Sequence, residues 1–379
     1  MNASTHQVAH QPKPVDNTLP YDKSVTVRSL LDSTGISALL AQDGTTELAI
    51  NRAGEIWTEG REGWIYHAAP HASLDALKKL ANALVVFKGD HLSAANPIHP
   101  VCLPDGQRGQ VLIAPAIEAD TVSITMRVPS ALRLSMADYT RSGSLKGFAD
   151  ASPALNLSVL PEEMTAGGLV DASPSGRVPA MVTLAPFELA MLEAKASGDI
   201  ATFLTLAVKN KVNIVTVGGT GSGKTTLMKM LADLVPPHTR IGTIEDTHEL
   251  LLPHHPNRVH MFYSDDLPAK EIVRSTLRMK FGQVFLAELR GDETWDYLTL
   301  LNTGTRGGMT SVHANDCISA FSRITTLIKA SAVGQTLDLS YITREVKMTI
   351  DVVLFMENKR LKELFFDPVG KWKLLRGLA

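Results

Sequence analysis

The chain has 379 residues, 44% of them hydrophobic, and a formal net charge of −2. That length holds about two or three domains with a sizeable core, and the near-neutral charge excludes a polycation built to coat nucleic acid. Two isolated cysteines, Cys102 and Cys317, exclude a disulfide framework and a four-cysteine zinc site and point to a reducing compartment.

In chain order, "MNASTHQVAHQPKPVDNTLP" is polar and proline-bearing, with no basic segment ahead of an apolar core. It is no secretory signal, and residues 1–23 read as a disordered tail. No apolar run reaches the length of a membrane span, so the expected location is cytoplasmic, with peripheral membrane attachment open. From Ser24, "VRSLLDSTGISALLAQDG" has a helical rhythm. "TELAINRAGEIWTEGREGWIYHA" alternates as strands around a turn at Asn51 to Gly54. "ASLDALKKLANALVVFKG" returns to helix, with Leu74, Leu77, Leu80, Ala81 and Leu84 on one face. A hairpin turning at Asp105-Gly106 and the alternating strand "DTVSITMRVPS" complete an α+β domain over residues 24–140. Residues 141–186 are rich in Gly, Ala, Ser and Pro with little periodicity. They read as a flexible linker of about 45 residues, able to span several tens of ångströms and to set the first domain over its own C-terminal domain or a neighbour's. From 187 to 379 helix and strand patterns alternate, the signature of a wound α/β domain.

Within that domain "VNIVTV" is a short, β-branched buried strand, and Leu227, Met230, Leu231 and Leu234 fall on one helix face before Pro236 and Pro237. Gly218, Gly219, Thr220, Gly221, Ser222 and Gly223 therefore form a strand-to-helix turn. With Lys224 and Thr225 it fits G-x-x-x-x-G-K-[ST]. Bare backbone there lets amides approach phosphate oxygens at a helix N-terminus. Lys224 would reach the β- and γ-phosphates of ATP, and the Thr225 hydroxyl would ligate Mg²⁺. Ser222 and Thr226 line the same loop. The competing reading, a plain glycine turn, does not account for the whole match.

Hydrolysis needs acids to orient water and hold the metal. "RIGTIEDTHEL" runs into Glu245 and Asp246, with Glu249 beyond, and "GQVFLAELRGDE" ends at Glu288. Ligands of open parallel sheets sit beyond the strands' carboxyl ends, where these acids lie. Helix capping is the alternative, and Asp246 and Glu249 fit either. In "LNTGTRGGMTSVHAND" the glycines at 304, 307 and 308 imply a mobile or tightly turned loop, and a neutral His313 could bond a γ-phosphate oxygen. His254, His255 and His260 of "LLPHHPNRVH" have no acid or cysteine at ligand spacing and read as a polar loop.

Taken in order, "TELAINRAGEIW", "LPDGQRGQV", "VSITMRVPS", the phosphate loop, the acidic box, the AELRGDE strand and "TSVHAND" resemble the DNA-transfer traffic ATPases of Vir-type type IV secretion systems, a branch of the secretion ATPase superfamily. The resemblance implies α/β architecture: a RecA-like P-loop ATPase domain preceded by an α+β N-terminal domain. It implies a ring-shaped homohexamer at the inner membrane, acting with the channel components. ATP hydrolysis with Mg²⁺ would power apparatus assembly or transfer of protein or DNA–protein cargo. It assigns Gly218 to Thr226 to phosphate, Glu245 and Glu249 to the acidic box, Glu288 to the Walker B strand and His313 to the histidine box. Arg127 matches an N-terminal-domain arginine that reaches the nucleotide, and Arg290 is a sensor or a partner of Asp292 or Glu293. Two departures stand out: Thr305 replaces a histidine of the family's T-G-H, and Lys280-Phe281-Gly282 replaces R-P-D. The general base stays open between Glu245 and Glu288. The rivals are a related pilus or type II secretion ATPase and a nucleic-acid translocase, the latter needing a basic or aromatic channel, and direct nucleic-acid binding stays open.

Overall fold

The computed structural model describes residues 22–60, 63–128, 132–153, 169–173, 176–179, 182–264 and 266–378. Its contacts divide the chain into two compact units, one ending at Pro129 and the other starting at Ser130.

The first unit is α+β. Helices α1 (Ser24–Ser33) and α2 (Ile36–Leu40) precede strands β1 (Glu47–Ile50), β2 (Gly54–Gly60) and β3 (Gly63–Ala69). Helix α3 (Leu74–Lys88) is followed by β4 (Ile98–Cys102), β5 (Arg108–Ile113) and β6 (Val122–Arg127). The strands form an antiparallel sheet in the order β3-β2-β1-β6-β5-β4. Helix α3 starts where the Ser73 hydroxyl accepts the Ala76 N–H and stops at Gly89 in the left-handed region. Between these caps Leu77, Leu80, Ala81 and Leu84 are buried against Leu48, Ile50, Ile124 and Met126 of the sheet, while Leu74 is only partly covered.

The second unit carries a sheet of order β12-β11-β13-β14-β10-β15-β16-β7. Its parallel strands are β10 (Ile214–Val217), β11 (Ile241–Glu245), the edge strand β12 (Arg258–Phe262), β13 (Gln283–Leu286), β14 (Met309–Val312) and β15 (Val352–Glu357). The antiparallel β16 (Arg360–Phe366) and short β7 (Ala149–Asp150) extend one edge. This is the expected RecA-like arrangement. The chain leaves β10, builds β11 and β13 on one side, returns to β14 and then crosses to β15. The carboxyl end of β10 thus lies at the point where strand order reverses, the place where open sheets bind ligands.

The boundaries differ from the sequence reading, which ends the first domain at 140 and starts the linker at 141. Helix α4 (Met136–Ser142) is fixed by a reciprocal Ser135/Asp138 cap, and Tyr139 and Leu145 are buried in the second unit's core beside Phe203 and Leu227. The Ser152 hydroxyl donates to the Phe366 carbonyl and accepts the Phe366 N–H, holding the chain to β16. Single apolar residues set between Gly and Ser turns show no period, yet each fills a core position. Strands β8 (Leu169–Ser173) and β9 (Gly176–Pro179) form a hairpin within the same expected linker. Its residues 154–168, and residues 1–21 of the expected tail, lie outside the described residues.

Buried Asn213 ties three parts of this unit together. Its Oδ1 accepts the N–H groups of Gly307 and Gly308 at 2.9 and 3.1 Å, and its Nδ2 donates to the Thr349 carbonyl at 2.8 Å. The loop before β14 is thus tightly turned. A Cβ at Gly308 would lie 2.3 Å from Leu301, and one at Gly307 2.3 Å from Gln283. Asn213→Ala would strand these backbone groups without partners, so a loss of about 2–5 kcal/mol is expected in the unfolding free energy measured by urea denaturation. A change below about 0.5 kcal/mol would show that the bonds are not structural.

Candidate nucleotide site

Strand β10 is fully buried, and the loop after it departs from ordinary backbone at once. Gly218, Gly221 and Gly223 have φ of 145°, 69° and 101°. A Cβ at Gly218 would sit 2.2 Å from the Met356 carbonyl oxygen, so no other residue fits. At Gly219 a Cβ would meet nothing within 4 Å, so the loop is open on that side. Helix α7 (Lys224–Asp233) starts directly after Gly223, following α5 (Pro186–Ser197) and α6 (Ile200–Lys209). Its first N–H groups therefore point out of a helix N-terminus, where the helix itself offers no carbonyl to them.

Lys224 is buried, and its ammonium donates to the Gly218 and Gly219 carbonyls, both at 2.7 Å. The Ser222 hydroxyl is buried and has no hydrogen-bond partner among the described residues. Thr225 and Thr226 are half-buried in the first helical turn. An orphaned hydroxyl, a lysine resting on its own loop and a backbone that excludes any side chain at Gly218 all fit a phosphate chain.

Glu288, just past β13, is bonded from two sides. Its Oε2 accepts from Arg290 at 2.7 Å, and its Oε1 lies 3.2 Å from His313 Nε2. Arg290 also donates to Asp246 at 2.6 Å, so its guanidinium joins the acids at the ends of two strands. Glu293 pins this segment by accepting the N–H groups of Arg290 and Gly291. The pairing expected for Arg290 thus falls on Glu288 and Asp246, and Glu293 takes only its backbone. Partial burial, then the Lys224 charge, hold the His313 imidazole below its usual 6.5, against the opposing pull of Glu288. Glu288, His313, Lys224 and Gly218 are therefore neighbours.

Glu245 is placed differently. It is fully buried, with Oε2 accepting the N–H groups of Glu249 and Leu250 at 2.9 and 2.7 Å and Oε1 accepting the Thr243 hydroxyl at 2.9 Å. Its carboxylate shapes the turn that carries Asp246. Arg127 closes β6 of the first unit, opposite Glu47 and Arg108. Thr305 is half-buried in the loop before β14. The other departure has a packing reason: the Phe281 ring covers Gly242, where a Cβ would be 2.9 Å away, and Arg240 lies over its face at 4.9 Å.

One contributor was missed from sequence. The β15–β16 turn, Asn358-Lys359, has positive φ at both residues, and Lys359 donates its N–H to the Ser222 carbonyl at 3.0 Å. A Cβ on Gly223 would lie 3.4 Å from Lys359 Cα. The signal was a polar pair between two alternating runs. A further correction concerns the histidines: His255 is buried and bonds the Val235 carbonyl through Nε2, and His260 bonds Thr243 beside Glu245.

A family model described as "Type II/IV secretion system protein" matches residues 182–357. The type IV secretion system protein VirB11 of Brucella abortus is 34% identical over 341 residues, covering 86% of this chain and 86% of that protein. The chain belongs to the VirB11 family of type IV secretion system proteins. VirB11 of Bartonella quintana is 34% identical over 352 residues, covering 90% of this chain and 94% of its own. The fold is also that of the Yersinia pseudotuberculosis ATPase DotB, with a TM-score of 0.54 at 14% identity, covering 94% and 84% of the two chains. The pilus retraction motor PilT with bound ADP matches with a TM-score of 0.53 at 13% identity, covering 93% and 86%. As a VirB11 family member the protein is a nucleotide-binding secretion ATPase. No helix among the described residues is long and apolar enough to cross a membrane.

The histidine supplies a direct check of this geometry. In an imidazole NMR titration His313 should titrate below 6.5, because burial and Lys224 disfavour its charged form. Lys224→Ala should raise the midpoint, and Glu288→Gln should lower it further. The unfolded chain then takes up this proton first, so His313 withdraws stability as pH falls below 6.5. A midpoint at or above 6.5 that ignores Lys224 would contradict the arrangement.

Proposed function

We propose that the protein is a homohexameric motor at the cytoplasmic face of the inner membrane. It hydrolyses ATP to drive assembly of the type IV secretion apparatus, or passage of protein or DNA–protein cargo through it, in contact with the channel components. The observation that carries the reading is the Gly218–Lys224 cradle, with its orphaned Ser222 hydroxyl, set against Glu288 and His313.

On this reading Lys224 leaves the Gly218 and Gly219 carbonyls for β- and γ-phosphate oxygens, and the amides of 219–226 take the remaining charge. Thr225 would hold Mg²⁺, which supplies charge neutralisation to the phosphates. Glu288 accepts the proton of the attacking water, because its carboxylate is held next to His313 rather than consumed by backbone donors. Glu245 positions the acidic turn instead, since its Oε2 already accepts two backbone N–H groups. Arg290 ties Asp246 to Glu288, and release of the γ-phosphate would reach both strand ends through it. Arg127 is proposed to meet the nucleotide from the N-terminal domain.

Phosphate release and fluorescent-nucleotide binding separate these roles. Glu288→Gln should lower turnover by about 10²–10⁴-fold with nucleotide affinity retained. Lys224→Ala should abolish binding. Glu245→Gln should lower thermal stability first. Normal turnover in Glu288→Gln, with loss in a well-folded Glu245→Gln, would move the base to Glu245.

A further inference from the structure

We propose that Glu245, His248 and His260 form a binding site for one Zn²⁺ ion, distinct from the phosphate cradle and independent of nucleotide. Strands β11 and β12 pair in parallel with Thr243 opposite His260 and Glu245 opposite Phe262. Residues two apart on a strand share a face, so Thr243, Glu245 and His260 are neighbours. The chain turns after Glu245 and brings His248 over His260, with ring centroids 4.3 Å apart. One nitrogen from each imidazole and one carboxylate oxygen all lie within 4.8 Å of one another.

The ligands are already held. The Thr243 hydroxyl contacts Glu245 Oε1 at 2.9 Å and His260 Nδ1 at 2.8 Å, so both side chains are fixed from behind. Glu245 Oε2 is saturated by two backbone donors, and spare acceptor capacity remains on Oε1, which takes one hydroxyl. A tetrahedral zinc ion places its ligand atoms about 3.3 Å apart. The three ligand atoms, which lie within 4.8 Å of one another, must therefore close by up to about 1.5 Å, and His248, which is exposed, supplies the larger movement. Two imidazoles and a carboxylate with one open position suit Zn²⁺, whereas Mg²⁺ and Ca²⁺ prefer sets of oxygens. A bound ion would tie the turn carrying Asp246 to β12, and Asp246 holds Arg290. Zinc is therefore expected to slow ATP turnover by stiffening that turn.

The test uses chelator-treated full-length protein without nucleotide, so that the outcome does not depend on hydrolysis. Titration with Co²⁺, followed by displacement with Zn²⁺, should give the visible bands of a tetrahedral nitrogen–oxygen site at one ion per chain. His248→Ala and His260→Ala should each weaken binding by about 10-fold or more, and millimolar Mg²⁺ should not compete. His254→Ala, an exposed histidine outside the cluster, should bind as the unaltered protein does. Equal uptake by the unaltered protein and the His248→Ala/His260→Ala double variant would overturn the site, as would no uptake by the unaltered protein. Zinc inhibition of turnover should vanish in His248→Ala, whose zinc-free activity stays normal.

Discussion

The Lys224 ammonium on the carbonyls of Gly218 and Gly219 is the interaction around which the second unit is arranged. A buried cation needs partners, and here the loop supplies them from its own backbone. That is possible only because Gly218 lies against the Met356 carbonyl, where a side chain cannot fit, and because the Asn358-Lys359 turn braces Ser222 from outside. The loop is therefore shaped before any phosphate arrives. On the proposed function a nucleotide would exchange one set of oxygens around Lys224 for another, with little backbone reorganisation.

The sheet distributes the remaining chemistry by strand. β11 and β13 end in carboxylates of similar sequence setting, yet their bonds assign them different work. Glu245 Oε2 is taken by two backbone N–H groups and its Oε1 accepts one threonine hydroxyl, whereas Glu288 faces a histidine and an arginine. Strand β14, next to β10, places His313 between Glu288 and the loop, and Asn213 locks the turn that aims β14. Arg290 bridges the ends of β11 and β13 through Asp246 and Glu288.

Much of this was legible in the sequence, because glycines that must adopt positive φ ahead of Lys224, and acids closing apolar strands, are local patterns. The helical face of α3 was legible for the same reason. What escaped depended on pairing between distant strands. Whether Glu245 or Glu288 is free to act is set by which backbone amides reach it. His260 looked isolated because its acid lies on a neighbouring strand, not at a helical spacing. The Asn358-Lys359 turn is ordinary by composition and becomes part of the site only through β15 and β16. The stretch through Tyr139 and Leu145 carried no periodicity, although both residues fill the core.

On the proposed function the loop from Gly218 to Thr226 receives a triphosphate, and the Glu288–Arg290 segment and His313 respond to it. Hydrogen exchange, compared with and without a non-hydrolysable ATP analogue and Mg²⁺, tests this most directly. Slowed exchange is expected at 219–226 together with 288–293 and 311–313, with no comparable effect at β4 and β5. Unchanged exchange across 219–226 at saturating analogue, or protection there that leaves 288–293 and 311–313 untouched, would contradict it.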